Sequence, residues 1–233
     1  MLSLIKFFDN PALVAFTSDA AVDFTLNESS PALSEGQKSC LSKEAGVPVG
    51  ALAWVQQVHG GDVVIADESF LTNGVLKEAD ALVTDRKNVP VAVRTADCLP
   101  IFMFDPAHLA IGIVHAGWKS TQQEILRETY ETMNAKYQTD YEDLLVAFGP
   151  AIRSCCYEVD HDFSGHFPKA VVARDGKLFM DLIKANRDQL FSLGVERHQL
   201  FDCRVCTSCD KNYFSFRRDN EKAGRMVSVM MIK

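Results

Sequence analysis

Residues 95–118 read TADCLPIFMFDPAHLAIGIVHAGW. Two apolar runs, Leu99–Phe104 and Leu109–Val114, are divided by Asp105-Pro106. Each run is far short of the roughly 20 residues that span a bilayer. Neither shows the polar alternation of a strand with one wet face. They read as strands buried on both faces, so other layers must cover the sheet they belong to. Their close spacing makes a hairpin, which argues against a purely parallel sheet.

Further strands are expected at Leu13–Thr17, Ala53–Val58, Asp62–Ala66, Ala81–Thr84, Val91–Thr95, Leu144–Phe148 and Met226–Ile232. Helices are expected at Glu35–Ala45, stopped by Gly46, and at Asp181–Leu193, stopped by Gly194. Another should follow Trp118, with Ser120 as N-cap and Gln123 completing a capping box. Its buried stripe would be Ile125, Thr129 and Met133. A polar loop falls near Asn27–Pro31. The fold class is α/β (α+β), a mixed, largely antiparallel sheet with flanking helices. With 233 residues and no linker, the chain reads as a single domain over 1–233.

A net charge of −7 without a basic run excludes a nucleic-acid backbone as partner and favours a small-molecule substrate. No membrane segment is visible, and MLSLIKFFDN lacks the apolar stretch of a signal peptide. Seven irregularly spaced cysteines point to reduced thiols and a cytoplasmic setting.

If Asp105 faces His108 across a Pro106-Ala107 loop, opposed residue numbers sum to 213. Cys98 and His115 give the same sum and would stand directly opposite each other, with Cβ atoms about 4.5–5.5 Å apart. His59 occupies the turn His59-Gly60-Gly61. One thiolate and two imidazoles suit Zn²⁺ and leave a fourth position open. The competing reading makes Cys98 a small buried hydrophobe and the histidines satisfied turn residues.

Cys203, Cys206 and Cys209 have metal-ligand spacing but no fourth ligand nearby, His198 being the nearest candidate, so they read as ordinary thiols. A bridge between the adjacent Cys155 and Cys156 would be strained. Arg217 and Arg218 could hold an anion such as phosphate, or pair at the surface with Asp219 or Glu221. Asp97 is a candidate general base or a partner to a histidine.

The segments QVHG, ADALVT, TADCLPI, HAGW, GPAI…CCYEV and SFRRD…GRM, in order from Trp54 to Met226, resemble the YfiH-type family. Its members are known as laccase-domain proteins or multicopper polyphenol oxidases, and also as purine nucleoside phosphorylases. The resemblance implies a zinc ion on His59, Cys98 and His115, and a single α/β domain. It implies phosphorolysis of adenosine, inosine and methylthioadenosine, together with adenosine deamination. It also brings in the removal of wrongly built peptidoglycan precursors, attributed to some bacterial relatives. Two departures stand out. Relatives carry a TRxGGxS-like segment where this chain reads TSDAAVD, residues 17–23, and glycine where it has Ser120.

A four-copper oxidase needs many imidazoles, mostly as His-x-His pairs, whereas the six histidines here, at 59, 108, 115, 161, 166 and 198, include no such pair. Adventitious Cu²⁺ in the His₂Cys set remains open. For deamination, Asp97 or Glu158 would deliver protons to the leaving ammonia after a zinc-activated water attacks C6. For phosphorolysis, Arg217 and Arg218 would hold phosphate, with Arg153 or Lys119 in reserve. The other readings are a zinc amide or peptide hydrolase editing peptidoglycan precursors, a binding module, and a redox protein built on Cys203, Cys206 and Cys209.

Overall fold

The computed structural model describes residues 3–26, 32–73 and 77–233; the loop expected near Asn27–Pro31 lies outside the described residues. The two apolar runs become β6 (Leu99–Asp105) and β7 (Ala110–Ala116), with all seven residues of each buried. They are central in a six-stranded sheet ordered β12 (Leu200–Asp202), β8 (Leu145–Phe148), β6, β7, β4 (Ala81–Thr84), β3 (Val63–Ile65). The β8–β6–β7–β4 pairings are antiparallel, while β12 and β3 add at the edges in parallel. A second sheet, entirely antiparallel, has the order β1 (Leu4–Lys6), β2 (Leu13–Ser18), β13 (Met226–Ile232), β5 (Val91–Thr95). A small third sheet orders β10 (Val171–Arg174), β11 (Lys177–Met180) and β9 (Glu158–Val159).

The side-chain alternation along β6 shows why both faces had to be apolar. Leu99, Ile101 and Met103 pack with residues of α4 (Ile125–Tyr137) and α6 (Leu182–Leu193). Phe102 and Phe104 point the other way, into a cluster with Leu13, Val91 and Met230 of the second sheet. The far face of that second sheet offers Phe16, Ala92, Val227 and Val229, which Leu41 of α1 (Glu35–Ala45) helps to cover. The layers therefore run helix, sheet, sheet, helix, each apolar face meeting another. The short helices α2 (Glu68–Asn73), α5 (Phe163–His166) and α7 (Phe216–Asp219) lie in the connections. Among the described residues no helix is long and apolar enough to cross a membrane.

The hairpin register departs from expectation. Asp105 pairs with Ala110 and Pro100 with His115, so opposed numbers sum to 215 rather than 213. The cause is local. Asp105 accepts the N–H groups of Ala107 and His108 through Oδ1, and Leu109 closes a four-residue loop at φ 51°. The tight two-residue hairpin turns need positive φ at their first position, which the Pro106 ring cannot adopt. Cys98 is therefore not opposite His115. A shift of two in the sum preserves side-chain parity, however, and leaves the two residues as diagonal neighbours on one face.

The helix after Trp118 also differs. α3 (Trp118–Gln122) begins one residue after Gly117, its cap, and Ser120 lies buried inside it rather than capping it. The chain breaks at Glu124, φ 55°, before α4 starts. The caps on the other two helices form as read: Gly46 and Gly194 close α1 and α6 at φ 66° and 102°. Residues 53–58 make only isolated bridges, from Ala53 to Val91 and from Gln56 to Glu78, rather than a strand.

Phe102 is fully buried between the two sheets, its ring 4.4 Å from that of Phe7. Phe102→Ala is expected to lower unfolding free energy by about 3–5 kcal/mol in a urea titration.

Candidate metal centre and its cavity

Asp80 immediately precedes β4 and is fully buried. Its carboxylate accepts the backbone N–H groups of Val58 at 3.2 Å, His59 at 3.0 Å and Gly60 at 2.6 Å, which shape the turn that presents His59 at φ 59°. The same carboxylate lies 2.7 Å from His115 Nδ1 on β7. Burial raises the pKa of Asp80, but the hydrogen bond and charge of His115 and the peptide N–H groups outweigh it and hold the group below the usual range. An ionised carboxylate only accepts, so Nδ1 of His115 carries the proton and Nε2 offers its lone pair to the site.

Cys98 follows Asp97, whose φ of 85° turns the chain sharply between β5 and β6. Its Sγ lies 3.7 Å from His59 Nε2, and the imidazoles of His59 and His115 meet edge to face at 4.7 Å. The three ligand atoms all lie within 4.8 Å of one another, in a group that could hold a metal ion. Tetrahedral bonds of ordinary length to nitrogen and sulfur would separate the two atoms by about 3.6 Å, so the donor set fits such an ion. Gly117 lines this centre: a Cβ there would stand 2.8 Å from His59 Cδ2 and 3.2 Å from Cys98 Sγ.

Electrostatics couple the ligands. Burial pushes the Cys98 thiol up, but the charge and hydrogen bonds of His115, and then of His59, bring it down to about 6. Burial disfavours charge on His115, yet the Cys98 thiolate and Asp80 raise its pKa to about 9. Without a metal, the centre holds a thiolate beside an imidazolium, anchored by a second anion.

The three ligands line a cavity of about 590 Å³. Its walls carry Arg94, Arg217, Arg225 and Lys119, with Trp118, Tyr157 and Phe216 as aromatic surface. Phe216 is 48% exposed. Arg94 leaves β5 opposite Val227 of β13, and Arg225 lies just before that strand. Burial and the neighbouring Arg225 lower the pKa of Arg94, and among the described residues no carboxylate pairs with its guanidinium.

The residues picked out from sequence fall into two groups. His59, Cys98, His115, Asp97, Arg217 and Lys119 line the cavity. Arg153 and Arg218 do not. Arg153 grips the Asp202 carboxylate with both terminal nitrogens. Arg218 ties Asp219 to the carbonyls of Thr207 and Tyr213. Glu158 pairs with Lys177 at 2.8 Å, also away from the cavity. Both Asp97 oxygens are occupied, by Thr207 Oγ1 and the Arg217 N–H at 2.6 Å each, so its carboxylate organises the wall. The N–H of Arg217 is what Asp97 holds, while its guanidinium reaches the Glu158 carbonyl at 2.9 Å.

The sequence reading did not single out Asp80, Gly117, Arg94 or Arg225, nor the cavity aromatics Trp118, Tyr157 and Phe216. Asp80 and Gly117 lie inside quoted motifs, ADALVT and HAGW. Arg94 is a cation in the apolar strand VAVRT, a signal by itself.

Fold and site together define a mixed α/β protein with a His₂Cys ligand group on the wall of a cationic, aromatic-lined cavity. The chain belongs to the family described as multi-copper polyphenol oxidoreductase laccase, which matches residues 23–233. It is 31% identical to a purine nucleoside phosphorylase of Clostridium acetobutylicum, over 99% of this chain and 96% of that one. It is 31% identical to adenosine deaminase RL5, from an unknown prokaryotic organism, over 79% and 76% of the two chains. The fold matches the crystal structure of the hypothetical protein YfiH of Bacillus licheniformis, with a TM-score of 0.87, 25% identity, and 99% and 97% coverage. YlmD of Geobacillus stearothermophilus matches with a TM-score of 0.83, 27% identity, and 96% and 93% coverage.

Two outcomes follow from the centre. Removing the carboxylate in Asp80→Asn is expected to weaken metal binding about 10–100-fold in a chelator competition. In metal-free protein, alkylation of Cys98 by iodoacetamide should rise with pH through a midpoint of about 6, because the thiolate is the reactive form. His115→Ala should move that midpoint up toward the ordinary thiol value, as followed by peptide mass spectrometry.

Proposed function

We propose that this chain is a zinc-dependent purine nucleoside phosphorylase acting on adenosine, inosine and methylthioadenosine, with adenosine deaminase activity in the same cavity. One observation carries the reading. A His₂Cys donor set, with Asp80 behind it, shares a cavity with Arg94, whose guanidinium finds no carboxylate among the described residues, and with the exposed ring of Phe216. The relatives named as purine nucleoside phosphorylases and as an adenosine deaminase support it.

His59, Cys98 and His115 would hold the ion, zinc suiting mixed imidazole and thiolate donors best, with copper a tighter but adventitious competitor. When bound, zinc supplies Lewis-acid polarisation at the reacting polar atom. The chain supplies the rest. Arg94 and Arg225 bind phosphate from one wall, where a dianion relieves their mutual repulsion. Phe216 and Trp118 offer flat faces for a purine. The Tyr157 hydroxyl, kept protonated by burial, can donate to a ring nitrogen or leaving group. Asp97 positions Arg217 and the 207 loop through two hydrogen bonds, the role of a positioning residue.

Four-copper oxidation finds no support in the placement of the imidazoles. Among the described residues only His59 and His115 join a metal-ligand group. His108 pairs with Asp105, His166 with Gln122 and His198 with Glu196.

The test incubates zinc-loaded protein with adenosine, with and without phosphate, and separates the products by chromatography. Adenine is expected only with phosphate; inosine is expected without it, and inosine together with hypoxanthine when phosphate is present. None of these products appearing would overturn the reading. Arg94→Ala should cut phosphorolysis about 10–100-fold, the loss of one charged hydrogen-bonding partner, through a raised KM for phosphate. Inosine formation should stay near the parent rate, since it needs no anion.

A further inference from the structure

The run Cys203, Cys206, Cys209 lacks a fourth ligand in the sequence around it, but the fold supplies further cysteines from a distant segment. Cys155 and Cys156 lie beside it, and the four sulfurs fall within 4.8 Å of one another. Cys156 Sγ is 3.2 Å and Cys155 Sγ 3.6 Å from Cys209 Sγ. Four sulfurs at ordinary zinc bond lengths stand about 3.8 Å apart around a tetrahedral ion. Cys203, the third cysteine of the run, is not in the group; it packs against the cluster between the two sheets.

The two loops are joined independently of these thiols. Ala151 bridges Cys206 in parallel, with the N–H of Thr207 donating to the Ala151 carbonyl at 3.1 Å and the N–H of Ala151 to Val205 at 3.4 Å. The N–H of Asp210 donates to the Cys206 carbonyl at 2.9 Å, closing the turn that brings Cys209 back toward Cys206. Backbone N–H groups of Arg153 and Cys209 are directed at the Cys206 sulfur, the kind of outer contact that orients a thiolate ligand. Arg174 donates to the Cys155 carbonyl at 3.1 Å, placing a cation beside a group that would carry net negative charge with four thiolates on a divalent ion.

We propose that Cys155, Cys156, Cys206 and Cys209 form a second, closed metal site, for zinc by ligand softness and tetrahedral spacing. The site is structural, since four protein ligands leave no open position. It ties the 151–157 segment to the 203–210 segment. Both segments feed the cavity: Tyr157 follows Cys156 and lines the wall, and Thr207, between the two later ligands, holds Asp97. The proposal does not depend on the nucleoside reading.

The experiment measures the metal content of the full chain, purified under reducing conditions, by elemental analysis and native mass spectrometry. Two zinc ions per chain are expected. His59→Ala should lose one and keep the other, and Cys206→Ser should lose the one that His59→Ala keeps. Cobalt substitution gives a second readout on the unaltered protein. A strong sulfur-to-cobalt charge-transfer band is expected, largely retained in Cys98→Ser and sharply reduced in Cys206→Ser. Should Cys206→Ser fail to fold, the exposed Cys209→Ser and the wild-type stoichiometry still decide. A single zinc abolished by His59→Ala, with a cobalt spectrum unaffected by Cys206→Ser or Cys209→Ser, would overturn the proposal. So would a stable disulfide within the tetrad in freshly reduced protein, since it would make the group a thiol redox pair.

Discussion

The Asp80 carboxylate is the interaction on which the centre depends. A buried anion is tolerated only where donors surround it. Asp80 has three peptide N–H groups from one turn and an imidazole from a neighbouring strand. Through that one group the 58–60 turn, which no strand ladder holds, is tied to the start of β4 and to His115 on β7. The charge pattern then runs outward in alternating sign: Asp80, His115, Cys98. Each member stabilises the next, and a divalent cation entering the centre takes over the part played by the imidazolium proton. The centre is thus preorganised by the protein rather than assembled by the ion.

Much of this was legible in the sequence, and the parts that were not share a cause. Apolar runs along Leu99–Asp105 and Ala110–Ala116 predict strands buried on both faces, since only packed layers tolerate them. Gly46 and Gly194 predict helix ends, since both need positive φ. The register of the central hairpin was misjudged because Asp105 builds its own turn with side-chain hydrogen bonds, and that decides loop length. Side-chain parity is unaffected by a shift of two in the sum, so Cys98 and His115 still share one face, as diagonal rather than opposed neighbours. The helix start moved from Ser120 to Gly117 because the chain must pass close to His59 and Cys98, where only glycine fits. The candidate ligand group of His59, Cys98 and His115 could be found because motif resemblance brought the three together. Asp80 carries the same geometric weight, yet a lone acidic residue before a strand has no spacing pattern to mark it.

The cationic wall was illegible for a different reason. Arg94 and Arg225 belong to distant segments that meet only when β5 pairs with β13. The sequence instead offered Arg217 and Arg218 as an adjacent pair, yet neighbours along a short helix need not share a target. Arg218 turns to Asp219 and two carbonyls, whereas Arg217 lines the cavity while its guanidinium donates to the Glu158 carbonyl. The segment at 17–23 does not line the cavity, but it supports a residue that does. Its Asp23 accepts the N–H of Arg225 at 2.8 Å, and Gly224 leaves no room between Asp23 and Phe214 for a side chain. An acidic residue in that segment thus sets the backbone from which a cavity cation projects.

The electrostatics of the cavity run against those of the whole chain. A protein of net charge −7 repels anions at long range, yet this cavity gathers several cations around one thiolate. Arg94 is held beside Arg225 without a carboxylate, in a partly desolvated strand, and both effects disfavour its charge. That arrangement is unfavourable for folding alone, and salt bridges elsewhere on the protein show that carboxylate partners are available where stability is the only demand. An anion of two charges reverses the sign of the term, because it turns the repulsion between two guanidiniums into shared attraction. On the proposed function, an oxyanion bound at this wall would relieve that repulsion. Deamination, which consumes water, would draw nothing from that release, whereas phosphorolysis would draw on it. The two activities would share the metal ligands and the aromatic faces, and the arginine pair is the feature that separates them.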